Sequence, residues 1–157
     1  MTRDMVARLV AEAFADVAAP SPLDIAHCEQ CELWVTRFLA GLPDDWREID
    51  ADDLAHESSA LASVTPAAWQ FLLPAYMVWH LDHCRDSPSN TVDHLISQLT
   101  RGDATDPWIL EGYESLSGKQ ARAVSTFLGF VASQQHDLLL AENAQRALDS
   151  YWRARAA

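Results

Sequence analysis

The chain has 157 residues, 49% hydrophobic and 22% charged, the mix of a single globular domain, 1–157, large enough to close a core without staples. Asp and Glu number 23 against 11 Lys and Arg, for a formal net charge of −12. That sign excludes a general nucleic-acid binder, which must neutralise phosphates, and argues against an anionic membrane surface.

Helix formers dominate and there are only 5 Gly, so an all-α fold is expected. Thr2 caps a first helix reaching Val17, with Val6, Leu9, Val10, Ala13 and Val17 on its core face and Met5 and Phe14 at the edges. Ala19-Pro20-Ser21-Pro22 breaks it. A second helix is expected from Asp24 or His27 to Leu42, with Cys28, Cys31, Val35, Phe38, Leu39 and Leu42 as its apolar stripe and Gly41 and Pro43 ending it. Asp44 to Asp53 is the most acidic stretch, a solvated connector that Trp46 and Ile49 pin to the core. Asp50 or Asp52 starts a short helix through Leu54 and Leu61.

The next segment is the strongest signal. Thr65 and Pro66 suit a cap and first turn, and no Asp, Glu, Lys or Arg occurs from Pro66 to Leu81. This predicts a central apolar helix over 65–84, presenting Trp69, Leu72, Leu73, Tyr76, His80, His83 and Cys84 on one face. Pro74 inside it predicts a bend or a local rearrangement. After a turn at 86–90, Asn90 or Thr91 starts a helix through Leu99, and 102–107 is a loop. Trp108–Leu116 is a short segment of uncertain type. Ser117 and Gln120 have capping-box spacing for a helix burying Val124, Phe127, Leu128 and Val131. A pause at Gln134-Gln135-His136 precedes a last helix capped by Asp137, with Leu140, Ala144, Leu148 and Tyr151 inward. The expectation is a compact bundle of about six to eight helices.

Cys28-x-x-Cys31 beside His27 has the pair spacing of a zinc site. Its completion requires Cys84 with His80 or His83 from the central helix, where His80 and Cys84 are four apart, one helical turn. Cys28, Cys31, His80 and Cys84 therefore form the candidate metal set, with zinc suited to soft and borderline donors. The competing reading places both cysteines on a core stripe as small apolar residues, with no cofactor. His56, His94 and His136 look isolated on helix surfaces. No phosphate-binding glycine loop, nucleophile elbow or HExxH is present, and no catalytic residue is assigned.

Four blocks carry a family resemblance: Ala13-Phe14 before a proline segment; Cys28-x-x-Cys31-Glu32; Val64-Thr65-Pro66-Ala67-Ala68-Trp69 running into Leu73-Pro74-Ala75-Tyr76; and Leu116–Gln120 leading a helix that ends in Ala147-Leu148-x-x-Tyr151-Trp152. On these the chain resembles a family of small bacterial proteins of unknown function. The resemblance implies a helical domain, sometimes with paired cysteines, and no activity. A single Lys (Lys119) against ten Arg also suits a GC-rich bacterial genome. The first 17 residues lack the apolar run of a signal peptide, and the uncharged stretch is shorter than the ~20 residues of a membrane span, so a cytoplasmic protein is expected.

The leading functional expectation is a non-enzymatic interaction domain, immunity-type or accessory, whose acidic surface meets a basic protein partner. One alternative is the zinc-binding domain. The other is an enzyme with a pocket near Tyr76, His80 and His83.

Overall fold

The computed structural model describes residues 1–26, 28–30, 38, 40–101, 107–134 and 136–157. Among them lie seven α-helices of six residues or more: α1 (Arg3–Ala13), α2 (Ala51–His56), α3 (Pro66–His83), α4 (Thr91–Gln98), α5 (Pro107–Ser115), α6 (Gly118–Ala132) and α7 (Leu138–Ala147). The described residues form no strand, only one bridge between Ala26 and Val64, and the fold is an all-α bundle. The predicted second helix falls largely outside the described residues, with His27, Cys31, Val35 and Leu39, as do Gln135 and most of the 102–107 loop.

α3 is the axis of the fold. Thr65 caps it by accepting from the Ala68 N–H, and the Thr65 hydroxyl donates to the Asp24 carbonyl at 2.8 Å. The cap thereby also anchors the preceding chain, whose Ile25 is buried. The helix continues through Pro74, although proline supplies no N–H to the Gln70 carbonyl one turn back. The expectation of a single buried face is corrected. Ala68, Trp69, Phe71 through Met77, Trp79, His80 and Leu81 are all buried, because α1, α2, α4 and α5 all pack on it. An uncharged helix is suited to such surroundings, having no polar face to keep in water.

α1 buries Val6 and Val10. Two details differ from its sequence reading: Leu9 is 42% exposed, while Phe14 is 0% exposed. The helix stops at Ala13, and the chain leaving it turns Phe14 inward as the C-cap residue. The capping box at Ser117 and Gln120 forms as the spacing predicts, and Asp137 caps α7 by accepting from the Leu140 N–H. Asp50 caps α2, but Leu61 lies in a separate 3₁₀ turn, Ala60–Ala62.

The chain end departs from the sequence reading at one residue. Leu148–Trp152 is a π-helical turn. A π turn advances each residue by a smaller angle than an α turn. Tyr151 is therefore carried aside and stays half-buried, whereas Trp152 is 0% exposed and donates its indole N–H to the Leu99 carbonyl at 2.8 Å. That bond fastens the chain end to the end of α4.

Candidate binding groove

Small side chains open a space between two helices. Ala7 and Ala11 on α1 face Ala75 on α3, and the gap they leave is closed on its third side by Trp46, Ile49 and Leu54. The result is a groove of about 440 Å³. Val78 and Trp79 continue its α3 wall, and Asp82 and His83 stand at the end of that wall. The stripe Ala75, Val78, Trp79, Asp82, His83 follows helical spacing.

The third wall is built from the acidic connector. Trp46 begins a 3₁₀ turn, Trp46–Glu48, capped by Asp45. Its indole N–H donates to the Phe14 carbonyl at 3.1 Å. The Arg47 guanidinium lies 4.6 Å from the centre of the Trp46 ring, pairs with Asp45 at 3.0 Å and donates to the Ala11 carbonyl at 3.1 Å. A cation on the last-turn carbonyls of α1 also suits the helix dipole. The Arg47 backbone N–H, with its guanidinium, holds the Asp45 carboxyl below its ordinary pKa. Asp44, Glu48, Asp50, Asp52 and Asp53 stay exposed on the outer side of this wall.

His83 stacks on Trp79, with ring centroids 4.8 Å apart and planes 13° from parallel. Its Nδ1 lies 2.8 Å from the Trp79 carbonyl. A carbonyl can only accept, so Nδ1 carries the proton and Nε2 is the nitrogen left for other contacts. Asp82 pairs with Arg3 at 3.3 Å.

The residues singled out by sequence do not gather here. Of Tyr76, His80 and His83, only His83 lines the groove. Tyr76 donates its hydroxyl to the Glu57 carbonyl at 2.6 Å, and its burial raises its pKa. His80 is 0% exposed, set edge-on to Phe127 with ring centroids 5.4 Å apart. Neither of its nitrogens makes a hydrogen bond of good geometry among the described residues, the Val92 backbone being the polar group that acts on the ring. Burial pushes its imidazole down to about 4, His136 adds to the shift and the Val92 backbone opposes it.

Cys28 is exposed, which corrects its expected place on a core stripe. Among the described residues on either side of it, Ile25 and Phe38 are buried. Cys84 is half-buried, and burial pushes its thiol pKa up despite neighbouring Arg85. No group of three or more His, Cys, Asp or Glu suited to a metal occurs among the described residues; Cys31, the fourth candidate ligand, lies outside them. His56, His94 and His136 are exposed.

A second depression of about 590 Å³ lies between the end of α1 and the start of α6. Three of its polar side chains are already engaged: Gln70 donates to Gln120 at 2.9 Å, Gln120 serves the α6 cap, and Lys119 donates to the Glu12 carbonyl at 2.7 Å. The alanine-lined groove was not foreseen from sequence. The available signal was small residues one turn apart on α1 opposite Ala75, with a Trp-Arg pair inside an acidic run.

No described helix is long and apolar enough to cross a membrane. Residues 2–156 match DUF6714, a family of unknown function. No curated protein and no solved structure matches the chain.

Proposed function

We propose, for a chain that belongs to this family of unknown function and so inherits no activity from it, that the protein is a non-catalytic binding domain whose binding site is the groove between α1, the 46–54 wall and α3. The observation that carries the reading is the groove's build. Its volume of about 440 Å³ falls within the ~300–1,000 Å³ of small-molecule sites, and apolar walls with a few polar groups at the edge are the usual lining of such sites. Among the described residues its one imidazole has no Ser, Thr or Cys beside it in the lining, which supports a binding rather than a catalytic reading.

The test is equilibrium binding of a neutral apolar fluorophore, N-phenyl-1-naphthylamine. The wild type is expected to bind it saturably. Ala11→Leu, which fills the groove from α1 with a good helix former, is expected to lose at least about tenfold in affinity with unchanged melting. Equal binding by the variant, or no binding by either protein, would overturn the reading.

A second reading rests on the outer side of the same wall. Asp44, Glu48, Asp50, Asp52 and Asp53 are exposed there and make no ion pair among the described residues. Buried Trp46 and Leu54 hold the segment against the core. A fixed row of carboxylates supports docking of a basic protein partner through complementary charge. Pull-down from the native host is expected to return a stoichiometric basic protein; return of none counts against it.

A further inference from the structure

We infer that the groove selects an amphipathic anion: a small molecule with a compact apolar body and a carboxylate head held at Arg8. This inference rests on the groove's being a binding site and adds the chemical class of its ligand.

The argument is one of charge at the mouth. The protein carries a net charge of −12, yet the charged residues lining the groove are two arginines and one aspartate, Arg8, Arg47 and Asp82. Asp82 is answered by Arg3 at 3.3 Å, and Arg47 by Asp45 at 3.0 Å. Arg8 is left without an ion pair among the described residues. It follows Ala7 on α1 and lies one turn from Ala11, so its stem starts beside the two alanines that open the groove. The groove thus combines apolar walls with an arginine at the rim that makes no ion pair among the described residues, Asp4 and Glu12 lying one turn to either side of it on α1.

That combination fits a carboxylate better than an alcohol or an ammonium. A guanidinium and a carboxylate form paired charge-assisted hydrogen bonds, about twice as strong as neutral ones. An alcohol would gain the apolar contacts without the ion pair. An ammonium would place a second cation against Arg8. The acidic ridge repels an anion at long range, but exposed charges beyond ~8–10 Å are largely screened at physiological salt. The direct contact with Arg8 acts inside that distance. His83, with Nδ1 committed to the Trp79 carbonyl, holds Nε2 as a further polar group at the α3 end of the groove.

Calorimetry with three ligands that share one tail, octanoate, 1-octanol and octylammonium, tests the inference on the wild type and on Arg8→Gln. The wild type is expected to bind octanoate about tenfold more tightly than octanol, with octylammonium weakest. Arg8→Gln is expected to erase the preference for octanoate while leaving octanol affinity and melting temperature unchanged. Octanol binding as tightly as octanoate, octylammonium binding best, or a carboxylate preference surviving in Arg8→Gln each overturns this inference while the groove remains a binding site. No binding of any of the three, together with no binding of the neutral fluorophore, overturns both.

Discussion

Trp46 donates its indole N–H to the carbonyl of Phe14 at 3.1 Å, across 32 residues of sequence. The bond joins the acidic connector to the end of α1, and both partners are buried: Trp46 is 3% exposed and Phe14 0%. The third wall of the groove is therefore held by a specific polar contact as well as by packing.

Trp46→Phe keeps an apolar ring but leaves the Phe14 carbonyl without that donor. The carbonyl keeps the Val17 N–H at 3.3 Å, so the expected cost is the net worth of one hydrogen bond, about 0.5–1.5 kcal/mol. Trp46→Ala adds a cavity and should cost about 3–5 kcal/mol. Urea denaturation reads both, and a midpoint unchanged in Trp46→Phe would show that the bond contributes nothing.

His80 should make stability depend on pH. Its folded pKa of about 4 lies below the ordinary 6.5, so between these values the unfolded chain binds more protons than the folded one. Stability then falls as pH drops from 6.5 towards 4 and this contribution levels off below 4, a loss of roughly 3 kcal/mol. Carboxylates titrate in the same range, so the readout is a difference between two proteins. His80→Leu, which also removes two buried nitrogens that make no hydrogen bond of good geometry among the described residues, should be less sensitive to acid than the wild type over that window. Parallel pH profiles for the two would refute the assignment.

Gly112 and Gly129 should respond to alanine in opposite directions. A Cβ on Gly112 would lie 2.8 Å from the Trp69 ring, whereas one on Gly129 meets nothing within 4 Å. Trp69 is 0% exposed and has little room to withdraw. Gly112→Ala should destabilise by about 1–3 kcal/mol through overpacking. Gly129→Ala should stabilise by about 0.5–1 kcal/mol, because alanine is the better helix former. Thermal melts of the two variants, compared with the wild type, decide the signs.

The thiols should be modified in order of exposure. Cys28 is exposed, while Cys84 is half-buried with its pKa raised, and only the thiolate is nucleophilic. Brief alkylation of the native protein followed by peptide mass mapping should label Cys28 ahead of Cys84. The reverse order would contradict the placement of both residues.

Local signals carried most of the fold. Thr65-Pro66, Ser117 with Gln120, and Asp137 each announce a helix start through short-range hydrogen bonding, and each cap forms. The buried sets of α6 and α7 follow from 3.6-residue spacing. What spacing does not encode is which neighbours arrive. α3 is enclosed on nearly every side, so its faces are not distinguished by polarity, and the sequence reading chose one. Trp152 owes its inward position to a π turn, which no propensity marks. The groove is legible only once α1, α3 and residues 46–54 are brought together, because it consists of space beside alanines that look ordinary in each segment. Cys28 is exposed although a cysteine at that spacing reads as apolar, since spacing does not tell which positions of a stripe meet a neighbour.

The docking of α1 sets an order of events. α1 packs against α6, and Lys119 reaches the Glu12 carbonyl across 107 residues. Contacts of such separation carry a larger loop-closure cost than the turns within each helix and form more slowly. In refolding, helical circular dichroism should recover before N-phenyl-1-naphthylamine finds its site, since α1 supplies one side of the groove. On that order the groove would be the last part of the fold to complete, and uptake of the fluorophore would time its final step.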